Sequence, residues 1–178
     1  MILSKGGPFM SSIRTELKEM RLLELKLFVI EYNRASQLDR SISKRSSKAK
    51  SDFRKALLNI CIDLFNQIDD RSIKNDKIRQ KIEMLSEKYK ISYGQSQKVI
   101  NVCLKQYMFI TQAYKIAREL DCPLDSITMK NAGIKNNKMI SVSKKDYQKY
   151  QDKFAKEFEI RLFKDRAYDC QRIKNFIK

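Results

Sequence analysis

Histidine is absent from the 178 residues of this chain. Without an imidazole, a Ser-His-Asp triad, a Cys-His pair and a histidine general base are all excluded. The four cysteines lie far apart, whereas zinc sites use closely spaced cysteine and histidine ligands, so we expect no metal site. The stretch "YGQSQK" lacks the glycine spacing of a Walker loop, and we expect no bound cofactor.

The same cysteines show none of the short spacings of a secreted disulfide framework. Cys61 and Cys103 lie among apolar residues, which predicts buried and inert thiols, and Cys122 and Cys170 lie far from either. This usage favours a reducing compartment, and we expect a cytoplasmic protein.

Glycine and proline are scarce, with 4 and 2 residues, whereas many-stranded β folds need these residues at their turns. Hydrophobic residues make up 42% of the chain, which is within the range of globular proteins. No apolar run approaches the ~20 residues that a membrane-spanning helix requires, so we expect no membrane span. The composition favours long helices that pack around a core.

Apolar residues recur at intervals of three and four, as they do on one face of an α-helix. The pattern predicts helices over 12–34, 48–68, 75–90, 92–121, 143–162 and 165–177. We interpret 12–178 as a single domain, an all-α bundle of five or six helices, preceded by a flexible extension at 1–11. The pattern changes at 126–142, which predicts either a small β-hairpin or a short helix followed by a loop.

Basic residues are in excess, with 38 lysines and arginines against 21 acidic residues and a formal net charge of +17. Such an excess favours polyanionic partners, nucleic acid first, although a lysine-rich proteome would produce a similar composition. The basic stretch 36–50 has low hydrophobicity and is predicted to be a mobile loop. Other charges are predicted to pair on the outer side of the fifth helix, Asp152 with Lys156 and Glu157 with Arg161.

The stretch "ISYGQSQKV" is predicted to begin the fourth helix, because Ser92 and Gln95 have the spacing of a capping box. Free N–H groups at a helix start can bind an anion, and Lys98, Asn101 and Lys105 would continue the same outward face. Tyr93 and Tyr107 are candidates to stack on a base, although buried tyrosines are the commoner outcome. The alternative for the whole corner is a capped turn between packed helices. The residues predicted to contact nucleic acid are Arg40, Lys44, Arg45, Lys48, Lys50, Tyr93, Gly94, Gln95, Ser96, Lys98, Asn101, Lys105, Lys135 and Lys138.

The segments "YGQSQKVINVCL" and "CPLDS", which lie within residues 93–126, together resemble the core of helix-hairpin-helix DNA glycosylases. The resemblance implies that Lys98 is an amine nucleophile and that Asp125 is the catalytic carboxylate. A lysine that attacks a sugar carbon must be neutral. The chain departs from the family pattern because Gln95 and Ser96 stand where a second glycine is expected, and because the interval from Lys98 to Asp125 is longer.

Three functions follow from these patterns. The first is a protein that binds the phosphate backbone of DNA or RNA through its basic loops and the start of the fourth helix. The second is a helical interaction module that forms a homodimer through its first helix, whose apolar face is unusually wide. The third is a glycosylase-like enzyme that uses Lys98 and Asp125. No other catalytic residue is predicted.

Overall fold

Five α-helices and two short 3₁₀-helices form the described part of the protein. The structure, a computed structural model, describes residues 46–135 and 138–162, together with the single positions Glu16, Glu19, Met20, Leu23, Glu24, Val29 and Lys164. The α-helices are α1 (Ser47–Asp69), α2 (Asn75–Tyr89), α3 (Tyr93–Thr111), α4 (Ser126–Asn131) and α5 (Lys144–Glu157). The 3₁₀-helices are Tyr114–Glu119 and Met139–Ser141. No strand occurs within these residues, and the predicted all-α fold is confirmed.

Helix α3 is the centre of the fold. It packs against α1, α2, α5 and both 3₁₀-helices, so little of its surface faces solvent. The apolar faces of α1 and α2 meet it through residues at helical spacing. These residues are Phe53, Leu57, Ile60, Leu64 and Ile68 from α1, and Ile78, Ile82, Leu85 and Tyr89 from α2.

The helix boundaries follow local capping chemistry. The Ser46 side chain accepts a hydrogen bond from Ala49 N at 3.3 Å, so α1 begins at Ser47 and includes the last four residues of the predicted basic loop. Lys48 and Lys50 therefore lie on the first turn of α1. Ser143 caps α5 by accepting a hydrogen bond from Asp146 N at 3.1 Å, as its spacing predicts.

Two predicted helices end earlier than expected. The helix predicted over 92–121 stops at Thr111, because Gln112 adopts a left-handed conformation with φ 56°. The chain then continues as the 3₁₀-helix Tyr114–Glu119. Helix α5 ends at Glu157 instead of reaching 162. The hairpin alternative for 126–142 is wrong, since this stretch contains α4 and a 3₁₀ turn.

Several predictions fall wholly or largely outside the described residues. These are the N-terminal extension, most of the predicted first helix, the basic residues Arg40, Lys44 and Arg45, and the last predicted helix over 165–177. The described positions of the first predicted helix all have helical geometry. Val29 lies in the core with 1% exposure, whereas Met20 and Leu23 are 63% and 58% exposed.

Candidate functional site

The start of α3 is closed by the 3₁₀-helix Met139–Ser141. The capping box is present: Ser92 Oγ accepts from Gln95 N, and Gln95 Oε1 accepts from Ser92 N, both at 3.1 Å. A Cβ placed on Gly94 would lie 1.9 Å from the carbonyl oxygen of Met139. The glycine is needed because another backbone passes against it, which is the packed-turn alternative.

Several residues predicted to meet a phosphate at this corner are buried. Gly94, Gln95 and Ser96 all lie in the interior beneath this covering. Asn101 is only 2% exposed and donates a hydrogen bond to Tyr147 Oη at 2.7 Å. The prediction that Asn101 lies on an outward face is wrong, because α3 is packed on that side by α5.

Neither tyrosine predicted to stack on a base presents a free ring. The ring of Tyr93 lies 5.4 Å from that of Tyr147, and burial raises the pKa of Tyr93 to about 12. Tyr107 stacks on Phe65 at 4.1 Å and donates a hydrogen bond from its hydroxyl to Asp69 Oδ1 at 2.7 Å. Both rings serve the packing of helices.

Lys98 and Asp125 are brought together, as the glycosylase resemblance implies. Lys98 Nζ lies 3.4 Å from Asp125 Oδ2, and both side chains are about three-quarters buried. Asp125 Oδ1 also caps α4, accepting from Ile127 N at 3.0 Å and Thr128 N at 2.8 Å. Burial alone would raise the pKa of Asp125, but the Thr128 N–H and the Lys98 ammonium lower it.

This arrangement explains the pair without catalysis. Both oxygens of Asp125 are engaged, one by the start of α4 and the other by Lys98. A carboxylate beside an amine favours the charged ammonium, whereas a nucleophile must be neutral. The catalytic role stays a prediction, and the geometry favours a link between α3 and α4.

A buried carboxylate joins three parts of the fold that are distant in sequence. Asp121, whose side chain is 0% exposed, accepts from Arg79 Nε at 2.9 Å and Nη2 at 3.1 Å. It also lies 2.7 Å from Arg161 Nε and accepts from the Tyr147 hydroxyl at 2.9 Å. Burial would lower the pKa of Arg79, but the bonds to Asp121 raise it. Burial and the nearby Asp121 charge raise the pKa of Tyr147 well above its usual value.

Two buried glutamines hold the irregular segment that follows Asp121. Gln97 of α3 accepts from Leu124 N at 3.1 Å and donates to Leu124 O at 2.6 Å. Gln151 of α5 accepts from Cys122 N at 2.9 Å and donates to Cys122 O at 2.7 Å. Each amide pairs with one backbone residue much as a neighbouring strand would, so the buried backbone polar groups are satisfied.

The accessible face of α5 lines an open groove of about 910 Å³, which we name the lysine groove. Its described lining residues are Lys144, Lys145, Gln148, Lys149, Asp152, Lys153 and Lys156. All five lysines are exposed. Lys145, Lys149 and Lys156 have neither an ion pair nor a hydrogen bond to a residue in the described ranges. The groove is therefore a strongly positive surface.

The edges of the lysine groove are tied to the body of the protein. At one end Lys144 Nζ donates to Glu83 Oε1 of α2 at 2.6 Å. On the opposite edge Lys153 Nζ donates to the carbonyl of Ala132 at 2.7 Å, which places the end of α4 beside α5. Exposed Lys130 lies on the last turn of α4, and exposed Lys135 follows it. The basic residues around 130–135 are thus adjacent to the groove.

No family model, curated protein or solved structure matches the chain. No helix within the described ranges is long and apolar enough to cross a membrane. Within the same ranges, no three side chains of the metal-binding types gather into a site. The lysine groove is therefore the candidate functional site.

Sequence reasoning identified some of these residues and missed others. The predicted site residues Lys135 and Lys138 are exposed, and Lys105 is half-buried on α3. Lys149, Lys153 and Lys156 were not predicted, although their spacing of four and three residues, which places them on one side of a helix, was the available signal. Gln151 lies four residues after Tyr147 and three before Phe154, which places it on the buried face.

The ion pairs expected near the groove form differently. Asp152 accepts a hydrogen bond from Gln148 at 2.8 Å instead of pairing with Lys156. Glu157 forms an ion pair with Lys164 at 2.9 Å, and Arg161 forms an ion pair with Asp121. The predicted Glu157–Arg161 pair is wrong because α5 ends at Glu157, so the spacing of one helical turn is lost.

Proposed function

We propose that the protein binds nucleic acid through contacts between the lysine groove and the phosphate backbone. The observation that supports this proposal is the presence of three exposed lysines, Lys145, Lys149 and Lys156, which are not neutralised by described carboxylates. The proposed interface is thus the accessible face of α5. It is not the predicted start of α3, because that helix start is covered.

The chemistry of the groove suits phosphates better than base edges. Lysine is a flexible point charge with three donors, which suits phosphate contact without a defined orientation. Base stacking would require exposed aromatic rings, and none of the described lining residues is aromatic. We therefore expect binding that depends strongly on charge and weakly on base sequence.

The number of contacts sets the expected salt dependence. The three lysines named above and Lys153, which also donates a hydrogen bond to the Ala132 carbonyl, provide up to four phosphate contacts. Lys144 is discounted because Glu83 neutralises it. Each contact contributes about −0.9 to the slope of log K against log salt on a duplex, so four contacts predict a slope near −3.6.

The test is a salt titration of binding to a labelled duplex by fluorescence anisotropy. The variant Lys145→Gln/Lys149→Gln/Lys156→Gln should make the slope shallower by about 2.7 units and weaken binding at about 50 mM salt. The control is Lys55→Gln/Lys77→Gln/Lys115→Gln, which removes the same charge from exposed lysines elsewhere. Equal losses in both variants, or no wild-type binding, would overturn the proposal.

A second candidate function is self-association through the first predicted helix. Met20 and Leu23 are one turn apart, have helical geometry and are both more than half exposed. Light scattering should show a dimer that Leu23→Asp converts into a monomer. Met84→Asp is the matched control, since Met84 is also a large apolar residue on a helix, with 45% exposure. A monomer at every concentration would exclude this function.

A further inference from the structure

An acidic residue lies among the cations of the lysine groove. Lys145, Lys149, Asp152 and Lys156 are spaced four, three and four residues apart, so they follow one line along α5. The helix rise places Asp152 about 4.5 Å along the axis from Lys149 and about 6 Å from Lys156. A carboxylate in this position repels any phosphate that the neighbouring lysines attract.

The Asp152 carboxylate is held in place by a chain of hydrogen bonds from the core. Buried Asp121 binds the Arg79 guanidinium, and Arg79 Nη1 donates to Gln148 Oε1. The other end of the Gln148 amide donates to Asp152 Oδ1 at 2.8 Å. Because both ends of Gln148 are engaged, its amide orientation and the position of Asp152 are fixed.

One oxygen of this carboxylate remains available to a ligand. Asp152 Oδ2 accepts no hydrogen bond from any residue in the described ranges. An ionised carboxylate is an acceptor only, so its ligand must present a donor. The donor must also lie between two phosphates, because lysines stand on both sides of Asp152.

We propose that the lysine groove prefers RNA to DNA, because Asp152 accepts a hydrogen bond from a ribose 2′-hydroxyl. Asp152 lies in the same line as the lysines, so a backbone whose phosphates contact those lysines presents its sugars to this carboxylate. The 2′-hydroxyl is the donor that an RNA backbone has and a DNA backbone lacks. This inference rests on the proposed nucleic-acid binding and specifies its ligand.

The experiment compares three single-stranded oligonucleotides of about twelve residues, oligo-rU, oligo-dU and oligo-dC. The pair rU and dU differs only in the 2′-hydroxyl, whereas the pair dC and dU tests an exocyclic base amine. A hydrogen bond to a charged group should give a preference of about tenfold for rU over dU in the wild-type protein. Oligo-dC and oligo-dU should bind alike.

Asp152→Ala should reduce the rU/dU ratio to near one and strengthen binding to oligo-dU, because a negative charge is removed from the groove. Glu87→Gln is the control, since it removes one carboxylate charge at another exposed helical position, and it should keep the ratio. Equal wild-type binding of rU and dU, or a ratio that survives Asp152→Ala, overturns this inference alone. A dC preference that Asp152→Ala abolishes assigns the donor to a base and also overturns it. No binding of any oligonucleotide overturns the proposed function as well.

Discussion

Replacement of Gly94 by alanine separates the two interpretations of the start of α3, because they predict effects of opposite sign. If this helix start were open to an anion, Gly94→Ala would stabilise the protein by about 1 kcal/mol, since alanine is the better helix former. In the structure, the new methyl group would lie 1.9 Å from the Met139 carbonyl oxygen, 3.0 Å from the Met139 carbonyl carbon and 3.1 Å from Val142 Cβ.

These contacts are too short to survive, and two of them are to backbone atoms. The 3₁₀-helix Met139–Ser141 must therefore move away from α3, because its carbonyl cannot rotate out of the way as a flexible side chain could. Overpacking of a well-packed core typically costs about 1–3 kcal/mol. After the gain in helix propensity of about 1 kcal/mol is subtracted, we expect Gly94→Ala to destabilise the protein by up to about 2 kcal/mol.

Urea unfolding followed by circular dichroism measures this difference. Gly133→Ala is the control, because Gly133 has nothing within 4 Å of a new Cβ but has a φ of +68°. Its effect isolates the strain of a left-handed backbone, about 1 kcal/mol. A rise in stability for Gly94→Ala would refute the packing argument and would reopen the helix start as an anion site.

The remaining predictions concern the charged and capping residues. Asp121→Asn should destabilise the protein by about 3 kcal/mol in urea unfolding, because two partly buried guanidinium groups lose their counter-charge. Lys90→Gly and Gln112→Gly should each raise the melting temperature, with a gain of about 0.5–1 kcal/mol, because both residues have a left-handed backbone at a helix end. Asp125→Asn keeps the cap but removes the charge. Since the folded-state pKa of Asp125 is lowered, its contribution is present at neutral pH and is lost as the pH falls below about 4, so the two proteins should converge in stability there. Borohydride should trap no covalent DNA adduct on Lys98, and an adduct abolished by Lys98→Ala would instead establish the glycosylase-like activity.

The long amphipathic helices were predictable from the sequence to within a residue or so. The predictions 48–68 and 75–90 correspond to Ser47–Asp69 and Asn75–Tyr89, since apolar spacing and caps agree there. The end of α3 at Gln112 was not predictable, because neither a glycine nor a proline occurs there. Ile116, Ala117 and Leu120 keep spacings that suit a 3₁₀-helix as well as an α-helix, so the periodicity continues across the break.

The candidate site was less predictable than the fold. Net charge indicated a basic surface, but it does not say which lysines have carboxylate partners once the helices pack. Lys98 is paired with Asp125 and Lys144 with Glu83, and both carboxylates come from other elements. Lys149 is a candidate because α5 presents an accessible face, which the packing of the helices determines. Partners distant in sequence decide such outcomes, and a local pattern contains no information about them.

The side-chain amides of two glutamines form hydrogen bonds with the backbone of Cys122 and Leu124. This irregular segment should therefore be as rigid as a strand inside a β-sheet. Amide protons in irregular segments normally exchange with solvent through small local openings. Here the N–H of Leu124 donates a hydrogen bond to Gln97 of α3, and the N–H of Cys122 donates one to Gln151 of α5. Neither proton can reach water until those helices separate. In deuterated solvent, both should persist as long as the slowest amides of α3.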